Sequence, residues 1–319
     1  MLYFIFTNFI VFSSTLLLIK FKKSFLKEKF YTNVEKHNYN KNIFPLGGII
    51  LIFLIFLNHK YFDLELLISC LLVSLLGLSS DLKIIKSPKI RFFLMIFVVG
   101  MYLYFTNNLI SQNNFPVIYK LMNNELFNFT FLLVSILIII NGCNFIDGVN
   151  NNLNLYFFLL NLSLIYIKYI YGVDFEINIF LLLFSFFFFY FNYKNILMFG
   201  DSGAYLIGFL SALDLVQITN EIELLSKYFA IILLAYPSYE VLFSIIRKKN
   251  PLFPDGNHLH LLLMKINKQN HFKTSLQLNF LNLILFSLGS IYHNDDVILV
   301  FLILSYVILY NYFHNYFSR

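Results

Sequence analysis

Long apolar runs separated by short polar joints occupy the whole chain. The runs lie near 2–20, 43–57, 62–79, 90–106, 126–142, 154–171, 177–191, 202–216, 226–246, 275–290 and 296–313. Most approach the length a helix needs to cross a hydrocarbon layer, so the pattern predicts an all-α polytopic membrane protein with about ten to eleven transmembrane helices. No polar stretch is long enough to fold by itself. Residues 1–319 are therefore read as a single integral membrane domain whose joints, at about 20–42, 80–91, 141–153, 192–203 and 247–274, carry the polar chemistry.

Composition agrees and excludes a soluble globule. The 319 residues are 59% apolar and only 13% charged, with mean hydropathy +0.73, more apolar surface than a water-soluble fold can hide. The two cysteines, Cys70 and Cys143, sit in or at the ends of apolar runs, which excludes a disulfide framework. Phenylalanine-rich stretches such as SFFFFYF (185–191) read as compositional bias.

Charge orients the runs. The first is expected to be a retained helix with its N-terminus outside, because its basic cluster KFKKSFLKEK (20–29) follows the apolar stretch instead of preceding it; that cluster reads as a topology signal touching anionic headgroups. Of the 23 lysines and arginines, all but Lys60, Lys120, Lys168 and Lys227 then fall on the cytosolic side, the positive-inside pattern. Asp63, Glu65, Glu125, Asp174, Glu176, Glu221, Glu223, Asp295 and Asp296 fall outside.

The inner acids include Asp81, Asp147, Asp201 and Asp255, on four different joints. Taken singly, an Asp at a helix mouth is more often a cap than a ligand, and the two imidazoles of HLH (258–260) are solvated loop residues. Gly47 and Gly48 read equally well as helix-packing residues. Acids and amides gathered at one membrane depth can instead form a shared site of oxygen ligands. Magnesium suits such a site, since it takes one or two carboxylates and fills its other positions with phosphate or water.

The ordered set GL-x-x-DLK-x-x-x-SPKIR, NG-x-NFIDG, GDSG-x-x-x-GF and PD-x-x-HLH, spanning roughly residues 40–265, resembles the polyprenyl-phosphate N-acetylhexosamine-1-phosphate transferases. That family includes lipid I synthase and the initiators of O-antigen, enterobacterial common antigen and teichoic acid. The resemblance implies transfer of a sugar-1-phosphate from a UDP-sugar to polyprenyl (undecaprenyl) phosphate, with UMP released, as the initiating step of a cell-envelope glycan at the bacterial inner membrane. It implies Mg²⁺ or Mn²⁺ as cofactor, a cytosolic active site and C-terminus, and no nucleic acid among the partners; a homodimer stays open.

Carried over by residue, the resemblance makes Asp81 the second acid of the family's aspartate pair, catalytic and a helper to the metal. Asp147 is catalytic, and with Asn141 and Asn144 it matches the asparagine–aspartate motif that contacts the nucleotide sugar. Asp201 matches the metal-binding aspartate, and His258 and His260 the histidine motif that binds substrate phosphate or sugar. Asn150 and Lys83 complete the substrate-binding set. Three positions depart from the family pattern: Ser80 replaces the first acid of the pair, Asn150 an aspartate, and Leu261 a histidine. These departures favour the O-antigen branch and raise one alternative, an impaired member acting as a membrane scaffold. Restoring the pair with Ser80→Asp is expected to leave activity equal or higher. A secondary transporter is disfavoured, because the apolar centres read as almost free of charge and no internal repeat is visible.

Overall fold

The computed structural model describes residues 2–21, 43–110, 119–247 and 256–318. Its helices of about two turns or more are α1 (Leu2–Phe21), α2 (Gly47–Leu57), α3 (Leu64–Asp81), α4 (Pro88–Thr106), α5 (Glu125–Ile146), α6 (Asn152–Tyr171), α7 (Glu176–Tyr193), α8 (Gly200–Glu221), α9 (Lys227–Leu233), α10 (Ala235–Ile246), α11 (Leu259–Ile266), α12 (His271–Ile291) and α13 (Asp296–Phe317). Among the described residues eight are long and apolar enough to cross a membrane, and α9 with α10 adds a ninth span if the bent pair counts as one. The runs at 2–20 and 43–57 are helical too, but as shorter apolar helices among the described residues. Asp255 and most of the basic cluster at 20–29 lie outside the described residues.

Helix α8 is the centre of the bundle: 83% of its most apolar window is buried, against 17% for α13. Its sequence GDSGAYLIGF is rich in small residues, which let helices approach closely where no hydrophobic force acts between them. The approach is closest at Ser202. A Cβ on Gly48 would fall 2.2 Å from its Oγ, and one on Gly77 2.3 Å from its Cα, so α2 and α3 both meet α8 backbone to backbone. Gly48 is thus a packing residue.

The run at 226–246, expected as one helix, is instead broken into α9 and α10 at an angle of 75°. Proline 237 is the physical reason: it has no N–H to return to the carbonyl of Leu233. That carbonyl accepts from the Tyr156 hydroxyl at 2.8 Å, so the break leaves no orphan there.

The apolar interior is also less free of charge than the sequence suggested. Lys168, expected near the outer surface, is buried; its Nζ donates to Asp214 Oδ1 at 2.6 Å and to Asn178 Oδ1 at 2.8 Å. Asn178 donates in turn to Asp214 Oδ2 (2.5 Å) and Asn161 Oδ1 (3.1 Å). Glu240 is fully buried on α10.

Candidate active site

Three acids from three different joints meet at the first turn of α8. The joint before it is tied by Phe44, whose N–H donates to Ile196 O (3.2 Å) and whose carbonyl accepts from Met198 N–H (3.0 Å). Gly200 then opens α8 at φ +69°, a left-handed conformation natural to glycine. A Cβ there would also lie 2.7 Å from Asp81 Oδ2. The next two amides go to Asp81, the last residue of α3: Asp201 N–H donates to its Oδ1 at 3.0 Å and Ser202 N–H to its Oδ2 at 3.1 Å. Asp147, just past α5, accepts from the Gly200 N–H. A helix leaves its first amides without internal partners and carries positive character there, and here carboxylates from two other helices supply the partners. The capping role weighed for single acids is real, but it acts across helices.

The Asp201 carboxylate is held from the mouths of α3 and α4. Its Oδ2 accepts from Arg91 Nη1 at 2.8 Å and from the Ser80 hydroxyl. Arg91 thus pairs with Asp201, while Asp81 and Asp147 stand beside that pair. The imbalance is felt at Asp147: burial first, then the charges of Asp201 and Asp81, push its carboxyl well above the usual carboxylate range, against the lowering effect of the Gly200 hydrogen bond.

Beside this cluster lies a small cleft of about 40 Å³, whose wall includes Arg91, Asn141, Asn144, Phe145 and Tyr205. Of the residues expected in a site, Asp81, Asp147 and Asp201 are brought together, and Asn141 and Asn144 line this cleft. Lys83 is exposed in the joint after α3, with φ 58°, and is not in the cleft wall. Asn150 is also outside that wall. It is buried, its Nδ2 donates to Asn195 Oδ1, and its N–H donates to His271 Nδ1 at 3.3 Å. It holds three joints together as an amide.

His258 and His260 are buried, not solvated. Their rings lie 13° from parallel with centroids 5.6 Å apart. His258 packs on Phe145 at 4.7 Å, and a Cβ on Gly148 would fall 2.7 Å from His260 Nε2. The histidine segment thus sits on the segment that carries Asp147.

Reading the sequence missed three participants. Arg91 was counted only as a topology cation. Ser80 was read as a lost acid, whereas it donates to Asp201; an added carboxylate at 80 would face Asp201 Oδ2 acceptor to acceptor, so this contact argues against a gain from Ser80→Asp. Glu240 was passed over inside an apolar run, although an acid in such a run is itself a signal.

Among the described residues no three His, Cys, Asp or Glu side chains form a cage for a metal ion. The acids at α8 fit a different arrangement, an oxygen-seeking divalent ion that takes one or two carboxylates and completes its shell with phosphate and water. Three carboxylates stand there against the guanidinium of Arg91, which leaves negative charge for such an ion to offset.

Residues 64–219, about half of the chain, match the family model for glycosyl transferase family 4. The matched interval holds every acid of the cluster, Arg91 and the cleft asparagines, and ends before Glu240 and the histidines. The undecaprenyl-phosphate alpha-N-acetylglucosaminyl 1-phosphate transferase of Thermotoga maritima is 31% identical over 121 residues, which cover 36% of this chain and 39% of that protein.

Proposed function

The chain belongs to glycosyl transferase family 4, and from that premise we propose that it transfers an N-acetylhexosamine-1-phosphate from a UDP-sugar to polyprenyl phosphate. The observation that carries the reading is the convergence of Asp81, Asp147 and Asp201 on the first turn of α8, beside a cleft walled by Arg91, Asn141 and Asn144. Charge-rich, amide-lined and set at one end of a helical bundle, it suits a pyrophosphate donor and a lipid phosphate that meet at the headgroup level.

The acceptor is a phosphate monoester whose second ionisation lies near about 6, so at neutral pH it is largely dianionic and a competent nucleophile. Its oxygen attacks the sugar-bearing phosphorus; the new P–O bond forms as the bond from that phosphorus to the oxygen bridging to UMP breaks, and UMP leaves with the electron pair. In this division of labour Asp81 fixes the end of α8, while Asp147 positions the acceptor phosphate. Asn141 and Asn144 hold the nucleotide sugar, and Arg91 offsets charge on the pyrophosphate. Asp201, with Asp147 beside it, would hold Mg²⁺ or Mn²⁺, which when bound neutralises charge on the phosphates.

An apolar groove of about 230 Å³ beside the α9–α10 bend, walled in part by Phe131, Ile138, Leu215, Ile231 and Leu242, supports the lipid half of the reading. Ile138 is one helical turn from Asn141, so a hydrocarbon chain in the groove would bring its phosphate toward the cleft. Initiation of a cell-envelope glycan on the cytosolic face of a bacterial inner membrane follows from the same proposal.

Purified protein with undecaprenyl phosphate, Mg²⁺ and a panel of UDP-sugars should release UMP with at least one of them and yield a lipid-linked sugar pyrophosphate. Tight binding of UDP-sugars without UMP release would favour the scaffold reading, and absence of both would end the proposal.

A further inference from the structure

Glu240 sits on α10, three residues past Pro237, with no exposed surface. Its Oε2 accepts from His258 Nδ1 at 2.8 Å, and its Oε1 lies 3.7 Å from His260 Nδ1. A carboxylate with no access to water is costly unless other groups compensate its charge and lone pairs. Here two imidazoles face it, both turned with the same nitrogen toward it, with the Tyr310 hydroxyl close by.

On their other sides the rings meet the motif of the candidate site. His258 packs on Phe145, which is in the cleft wall with Arg91, Asn141 and Asn144. His260 Nε2 rests against Gly148, next to Asp147, so closely that any side chain at 148 would strike it. The break between α9 and α10 is what turns Glu240 to this place.

A carboxylate on Nδ1 fixes which ring nitrogen carries the proton and holds the ring's orientation. We propose that Glu240 is a positioning residue for the nucleotide-sugar site: it holds His258 and His260 with Nδ1–H toward itself, so that Nε2 on the far side of each ring is a preset hydrogen-bond acceptor for hydroxyl and N–H groups of the donor. This rests on the transferase reading above. Glu240 touches no substrate; it acts through the two rings, and the fixed pair confers donor affinity more than turnover.

The test combines nitrogen NMR of protein labelled with ¹⁵N-histidine in micelles with steady-state kinetics. The chain has seven histidines, and His258→Gln and His260→Gln assign the two by loss of signal. In the wild type both should carry the proton on Nδ1; a wild-type spectrum with His258 protonated on Nε2 alone overturns the inference without any variant at position 240. Glu240→Gln keeps the size but can donate as well as accept, so it should release the fixed tautomer and raise KM for the UDP-sugar about 10-fold or more, with kcat changed less than about 3-fold. Glu240→Asp should recover part of the affinity. An active wild type whose Glu240→Gln variant keeps both the tautomer pattern and donor KM overturns the positioning role alone. A wild type that releases UMP from no sugar nucleotide overturns the transferase reading first, and this inference with it.

Discussion

Helix α8 carries two polar clusters, one in its first turn and one between three and four turns further along, and they are built on opposite terms. Around Asp214 the charges balance one to one: Lys168 meets one carboxylate oxygen, Asn178 meets the other, and Asn161 closes the network. Around Asp201 three carboxylates gather with one guanidinium, which pairs with Asp201, and a cleft lies alongside. Both ion pairs are short, at 2.6 and 2.8 Å, and both are largely buried. What separates them is satisfaction. A closed, neutral network in the bundle interior holds helices in register, whereas an open cluster with surplus negative charge keeps affinity for something the chain does not supply.

The sharpest way to break this contrast is to neutralise one acid in each cluster. Asp201→Asn should lower UMP release by about 10²-fold or more, in the range of a lost charge-stabilising group, while thermal unfolding in detergent changes little. Asp214→Asn should do the reverse. It leaves Lys168 buried without its counter-charge and costs about 2–3 kcal/mol of stability, with kcat per folded molecule unchanged. The double variant Lys168→Met/Asp214→Leu should unfold closer to the wild type than either single change does. If Asp214→Asn abolishes turnover in fully folded protein, the balanced cluster is part of the site and the comparison fails.

Ser80→Asp sharpens it further. The substitution adds a fourth carboxylate beside Asp201, where the hydroxyl now donates. Activity should fall roughly 10-fold by like-charge crowding, and Ser80→Ala should lose only the few-fold expected of one hydrogen bond. Activity at or above wild type in Ser80→Asp would restore the family's acid pair as the better description.

Much of this was legible in the sequence, for identifiable reasons. Helix existence followed from apolar run length, and the convergence of Asp81, Asp147 and Asp201 followed from placing their joints at one depth. The break at residue 234 was marked by Pro237, but the angle it would take depends on Tyr156 and Gly142 packing against it. Lys168 was placed near the outer surface because its counter-charge, Asp214, is 46 residues away, and Glu240 was hidden because a window average dilutes one charge among many apolar neighbours. Asn150 was assigned by motif position alone; its amide is committed to Asn195, on a joint 45 residues away.

The smallest expected effect tests the charge deficit itself. Asp147 has a carboxyl raised well above its ordinary range by burial and by Asp201 and Asp81. A carboxyl whose folded value is raised contributes stability below its unfolded value and loses it as pH rises through the folded one. In EDTA, therefore, wild-type stability should decline from the ordinary carboxylate range upward, and Asp147→Asn, which cannot ionise, should show less of that decline. At pH 7.5 the variant should unfold about 2 °C higher than the wild type, with the gap closing as pH falls. Saturating Mg²⁺ should stabilise the wild type by mass action and the variant less, which narrows or reverses the order while UMP release by the variant stays low. A wild type that is the more stable of the two in EDTA at every pH would mean that the first turn of α8 already satisfies its acids, and that it differs from the Asp214 cluster in position only.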